Sequence, residues 1–362
     1  AVADAQLPDP KLRLGLMNFP TDTFARDQEP MTQIQVGVQQ MIPRGDTLQI
    51  KRKRGEIQAQ GSEFQFQNQQ RQLRREVRLK WLELYYWKQA YEVVKKNRVL
   101  FRQMVQVTEY QYGAGRRNQQ DVIRAELELS RLEDRLLEIQ TRHDGAASEL
   151  AVLVHRDVTT LVLPDALPDL SVAVELLADM TFLQAHPNLL TAQAQLDESK
   201  QGVALAREAY KPGWMVGVNY GLRDGQNMDG SDRADFLSLA VTVDVPLFAN
   251  KRQDRRLAAS QDMQRASQNQ YDDVFLQMKR QIESLHAEKK QLSQRVQFHN
   301  KQLVPQARQN SEATLFAYQN DRADFSSLVR ARITQLNTRL QALRMQIDLM
   351  KIQAKMRYFT GE

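Results

Sequence analysis

The chain has 362 residues, 42% of them apolar, and a formal charge of +6, with a mean hydropathy of −0.57. Gln, Arg, Glu and Leu are abundant while Gly and Pro are few, a balance typical of long exposed or coiled-coil helices that disfavours a compact enzyme. Cysteine is absent, which removes disulfides, thiolate metal sites and a cysteine nucleophile, and basic residues interspersed with acids and poor in aromatics argue against a single-strand nucleic-acid groove.

Residues 1–10 read as the last turn of a helix, with Pro10 closing it before a strand. In 12–18, Leu12, Leu14 and Leu16 alternate with Arg13, Gly15 and Met17, which is strand periodicity. In 33–42, Ile34, Val36, Val38 and Ile42 alternate with Gln33, Gln35, Gly37 and Gln39, so 11–46 is expected to form a hairpin. From about Thr47 the period turns helical and runs to Tyr112, about 65 residues and roughly 95 Å at 1.5 Å per residue. Gly113-Ala114-Gly115 marks a tip, and a returning helix is expected from about Gln119 to Val154, making 47–154 a helical hairpin.

Residues 155–185, broken by Pro164 and Pro168, are expected to form a connector holding one short helix between Val172 and Leu183. His186-Pro187 opens a helix over 187–210 with an alanine-rich seam, stopped by Pro212, so 186–211 is one unit. A second hairpin is expected in 212–248, where Trp214, Val216, Val218, Tyr220 and Leu222 and then Leu237, Leu239, Val241, Val243 and Val245 alternate with small or polar residues. A second helical hairpin is expected in 249–362, with its tip at 319–322.

The two halves share a register: Tyr112 falls on Tyr318, Arg116 on Arg322, Val122 on Leu328, Arg124 on Arg330 and Ala125 on Ala331. The chain therefore reads as two copies of an αββαα unit, the first lacking most of its first helix, which is expected to belong to a segment outside these 362 residues.

All four strands carry one apolar face and one face of small or polar residues. No run of about 18 apolar residues exists, which excludes a transmembrane helix but not a β-barrel. From the pattern two readings stay open: a lipid-facing barrel wall, and a buried sheet in a soluble protein. In the first, Phe19, Trp214, Tyr220, Phe236 and Phe248 are candidate membrane-interface anchors, and several protomers must contribute, because four strands cannot close a membrane barrel.

The duplicated order over nearly the whole chain resembles the TolC-like outer-membrane efflux proteins. The resemblance rests on Tyr112-x-x-Gly115 with Gln120-Asp121-Val122-Ile123-x-Ala125 at one tip. At the other it rests on Leu303-Val304-Pro305-Gln306-Ala307 leading to Tyr318, then Asp324-Phe325-x-x-Leu328-x-x-Ala331. His186-Pro187-x-Leu189, Tyr210-x-Pro212 and Phe359-Thr360-Gly361 are similar too.

The resemblance implies a mixed α+β membrane protein: a homotrimer with a 12-stranded outer-membrane β-barrel in lipid, continued by a long periplasmic α-helical barrel. It implies a passive efflux conduit that docks on a periplasmic adaptor and an inner-membrane pump of the RND type, and opens at the helix tips. His186-Pro187 and Asp224-Gly225 look most similar to members that work with heavy-metal or cation pumps, so the cargo is expected to be a metal cation or a small toxic compound. Tyr112, Gly115, Arg116, Asp121, Tyr318, Asp321, Arg322, Asp324, Ser327 and Arg330 are the gate candidates, with Asp121 and Arg322 or Arg116 as a latch between neighbouring hairpins. Capping and solvation of those charges is the competing reading. Family members carry acids inside the second tip, where this chain has Ser327 and Arg330, so an acidic cation-binding ring is not expected there.

No catalytic, cofactor or metal site is expected. The five histidines show no zinc spacing, there is no phosphate loop or triad pattern, and Met345, Met350 and Met356 read as packing before copper ligation. The rivals to a channel are a periplasmic adaptor, which needs only one helical hairpin, and a soluble coiled-coil scaffold.

Overall fold

The computed structural model describes the whole chain except residues 117, 159–162, 165, 172–179 and 362. Its elements are β1 (Lys11–Met17), β2 (Gln33–Ile42), α1 (Thr47–Gly113), α2 (Gln119–Val154), α3 (Pro187–Glu208), β3 (Gly213–Leu222), β4 (Phe236–Asp244), α4 (Gln253–Phe298), α5 (Val304–Gln319) and α6 (Phe325–Thr360). They divide into two compact units, Ala1–Gln65 with Pro187–Phe275, and Phe66–His186 with Leu276–Glu362.

The first unit holds one antiparallel sheet in the order β1-β2-β3-β4. Its outer edges, on β1 and β4, pair with no further strand among the described residues. The strands enter the helices through a polar joint. Arg44 Nη1 donates to the Ala209 carbonyl at 2.9 Å, the Asp46 N–H donates to Glu208 Oε2 at 2.8 Å, and Lys211 Nζ pairs with Glu208 at 2.8 Å. Gly45 makes that joint possible: its φ of +45° is a left-handed conformation, and a Cβ there would meet Glu208 Oε2 at 1.9 Å. Further along, Arg54 pairs with Glu198 at 2.9 Å, and a Cβ on Gly61 would sit 3.2 Å from that of Ala194. The alanine seam of α3 thus packs close on α1.

The second unit is built from helix-on-helix packing. Val94, Phe101, Leu132, Leu136, Leu336 and Leu340 form one buried cluster towards the tips, and Leu82, Tyr85, Ala146, Leu150 and Ile347 belong to another. At the edge of the core Glu83 accepts from Arg344 at 2.9 and 3.1 Å and from Lys351. Burial works against ionisation of Glu83, but the bonds from Lys351 and Arg344 win and hold its carboxyl below the usual range. Met345 and Met356 are buried.

Two expectations are corrected, and a third falls mostly outside the described residues. Residues 1–10 do not form the last turn of an α-helix: Ala3–Ala5 is a single 3₁₀ turn, and the chain is extended from Gln6. The short helix expected over Val172–Leu183 lies mostly outside the described residues, and Met180–Ala185 is 3₁₀. The long helix expected from Arg252 to the second tip is interrupted at His299–Leu303 by a π-helical turn, in which the Val304 N–H reaches back five residues to the His299 carbonyl. Pro305 supplies the reason, since proline has no N–H to give and its ring crowds the preceding turn.

Candidate functional site

Two surfaces and one buried junction are the candidates. On the sheet, Leu12–Val38–Val218–Leu239 and Leu14–Val36–Tyr220–Leu237 lie side by side as rows on one face. That face is open: Leu14 is 71% exposed and Leu239 72%. A run of Leu and Val covering four paired strands is far more apolar surface than single exposed residues explain. The opposite face carries Arg13, Gly37, Asn219 and Ser238 in register.

Trp214 and Tyr220 belong to the apolar face, pairing with Val243 and Leu237. Tyr220 donates its hydroxyl to Asp235 at 2.6 Å. Phe236 does not share that face. It pairs with Gly221 on the polar side, with the Arg223 guanidinium 4.2 Å from its ring centre, and this corrects its expected role as an anchor. Phe19 is half-buried just past β1, and Phe248 is exposed before the short 3₁₀ turn Ala249–Lys251.

At the helix tips the two matched tyrosines differ. Tyr318 is 4% exposed, lies edge-on to Phe325 at 5.9 Å, and donates its hydroxyl to Gln111 Oε1 at 2.9 Å. Tyr112 is 46% exposed. Gly115 turns the first tip with φ +71°, whereas the second turns through Asp321 at φ +56°. Asp324 caps α6, its Oδ1 accepting the Ser327 N–H at 2.8 Å. Hydrogen bonds from the Ser327 hydroxyl and then from its N–H, with Arg330 and Arg124 nearby, keep the Asp324 carboxyl below its ordinary range.

Asp121 sits in the first turn of α2, and Arg116, Arg322 and Arg330 are exposed. Among the described residues Asp121 makes no ion pair with Arg116 or Arg322. The tips are joined by the Tyr318–Gln111 bond and by one that sequence reasoning missed, from Arg124 to the Ser326 hydroxyl. Its only signal was that Arg124 occupies the position matched to Arg330.

The junction centres on His186, which is completely buried. Its ring meets Tyr358 edge-on at 4.9 Å and Phe359 at 6.0 Å. Nε2 lies 3.1 Å from the Tyr358 carbonyl, and because a carbonyl only accepts, that nitrogen carries the proton. The Tyr358 hydroxyl donates to Asn68 at 2.8 Å, and Arg75 stacks 4.8 Å over its ring. Among the described residues there is no group of three or more His, Asp or Glu able to hold a metal, and no helix is long and apolar enough to cross a membrane.

The whole fold matches solved structures described as outer-membrane channels. The outer membrane protein VceC of Vibrio cholerae aligns over 99% of this chain and 88% of its own, with a TM-score of 0.83 at 16% identity. The outer-membrane channel OprN aligns over 99% and 82%, with a TM-score of 0.82 at 17% identity. The chain has the fold of an outer-membrane channel protein. The MtrE outer membrane channel of Neisseria gonorrhoeae, solved in its open state, aligns over 99% and 81%, with a TM-score of 0.75 at 16% identity. No sequence family and no curated protein matches the chain.

Proposed function

We infer that this chain is one subunit of a trimeric outer-membrane channel and serves as a passive conduit in a tripartite efflux system. The observation that carries the reading is the four-stranded sheet, with one continuous apolar face open and both edges unpaired among the described residues. An isolated sheet of that kind has no cover in water, whereas a closed barrel in lipid satisfies both its edges and its apolar face. About eight strands are the practical minimum for a membrane barrel, so at least two copies must join, and the resemblance to TolC-like proteins favours three, giving twelve strands.

On this reading the chain is a duplicated αββαα unit, the polar sheet face lines water, and Trp214 and Tyr220 anchor the barrel at the membrane interface. The helices extend into the periplasm, where an adaptor docks at the tips and an RND-type inner-membrane pump delivers the cargo. Tyr112, Gly115, Arg116, Asp121, Tyr318, Asp321, Arg322, Asp324, Ser327 and Arg330 shape the mouth. Asp121 and Arg322 or Arg116 latch neighbouring protomers, a pairing between copies that adaptor docking releases at small cost.

Purified full-length chain added to planar lipid bilayers tests the reading. The expected result is discrete conductance steps, with the closed state destabilised by Arg322→Ser. Protein that stays soluble without detergent and never conducts would overturn it.

A further inference from the structure

The polar face of the sheet is unevenly polar. Several of its carboxamides lie against glycines of the neighbouring strand. A Cβ on Gly37 would fall 1.9 Å from Asn219 Oδ1, one on Gly221 1.9 Å from Gln33 Oε1, and one on Gly217 3.1 Å from Gln39 Cγ. Those amides therefore rest on the sheet instead of standing out from it. At the end where the strands meet the helices, Asp244 pairs with Arg44 at 3.5 Å.

Two charged side chains on this face have no acidic partner among the described residues: Lys11 and Arg13, both exposed and both on β1. Lys11 stands opposite Gln39, and Arg13 opposite Gly37, which offers no side chain to cover it. Asp9, the nearest acid along the chain, precedes the strand and pairs with neither.

The loops at the far end of the strands are acidic. Asp22, Asp27 and Glu29 oppose Arg26 in one, and Asp224, Asp229, Asp232 and Asp235 oppose Arg223 and Arg233 in the other. Arg13 is five residues from Asn18, roughly 16 Å along the strand. That is about twice the screening length of ~8 Å at physiological salt, so the acidic rim does not cancel the charge on Lys11 and Arg13.

We propose that Lys11 and Arg13 form an anion-attracting collar between the middle and the helix-side half of the barrel lumen, favouring cargo that carries a carboxylate or phosphate over a bare metal cation. The collar rests on the channel reading, because only closure of the barrel turns the polar face into a lumen. Closure also strengthens it, since each copy brings the same pair of cations to one ring between low-dielectric walls, which focus the field on the passing solute.

Single-channel recording with hexacyanoferrate(II) tests the collar, the tetravalent anion being added to one side of the bilayer and then to the other. The wild-type current is expected to show voltage-dependent block. The half-blocking concentration should rise about tenfold in Lys11→Gln/Arg13→Gln, the size that loss of a few partly screened charges near a tetravalent ion gives. Lys11→Arg/Arg13→Lys should retain the block. Arg13→Gln alone, an exposed change on an edge strand, should show a smaller shift in the same direction and serves if the double variant does not insert. A conducting wild type that is not blocked, or block unchanged in the glutamine variants, would overturn the collar and leave the channel standing. Protein that never conducts would overturn both.

Discussion

Replacing His186 by glutamine removes the titration of a buried imidazole while leaving an N–H to offer the Tyr358 carbonyl. Burial pushes the His186 imidazole down to about 4 from an ordinary 6.5; the bond to the Tyr358 carbonyl opposes that shift and the nearby Arg71 reinforces it. In the folded chain the ring is therefore neutral throughout the range in which the unfolded chain takes up a proton. The full stability is present above pH 6.5, is lost as pH falls from 6.5 towards 4, and changes little below that. At ~1.4 kcal/mol per pH unit the loss is about 3 kcal/mol.

Denaturant unfolding of both proteins in detergent, between pH 7.5 and 4, isolates this term, because every other group titrates alike in the two chains. The stability of wild type relative to His186→Gln should fall by about 3 kcal/mol across that window. A pH-independent difference would refute the reasoning, since it would mean the ring titrates in the fold as it does in the unfolded chain.

Leu239→Arg places a charge on the open apolar face, in the Val218 row between the rows of Trp214 and Tyr220, and is expected to cost about 2–4 kcal/mol at mid-membrane. It would be read as loss of heat-resistant assembled protein from outer-membrane fractions, while Gly15→Ser on the opposite face leaves assembly intact. Glu83→Gln leaves Arg344 and Lys351 without their shared carboxylate and is expected to cost about 2 kcal/mol in denaturant unfolding, less than a fully buried pair would lose. Asp324→Ala removes the cap of α6 and should speed amide exchange at Ser327, and Asp324→Asn should largely preserve protection there. Equal exchange in both variants would show that the cap does not hold the tip.

The strands were legible because their faces alternate without a break. Leu12, Leu14 and Leu16 fall on the face expected of them, and β1 to β4 begin and end within a residue or two of the alternating stretches. The same parity places Phe236 with Ser238 and Ala240, and only its position near a strand end made it look like an anchor. The composite nature of the second long helix had a visible signal in Pro305, but the sequence does not reveal that the chain answers with a π turn instead of a kink. The unequal burial of Tyr112 and Tyr318 was not legible, because Phe325 and Gln111, which enclose Tyr318, come from elements whose packing the repeat alone does not specify. His186 is the clearest case. Beside Pro187 it reads as the start of a helix, and its complete burial depends on Tyr358 and Phe359 from the far end of the chain.

Native mass spectrometry of the protein extracted in mild detergent asks most directly whether separate copies complete the sheet. The account predicts a species of three chains that survives removal of the detergent in the gas phase and is lost when Leu239→Arg is introduced. A single chain, stable in buffer without detergent, would contradict it.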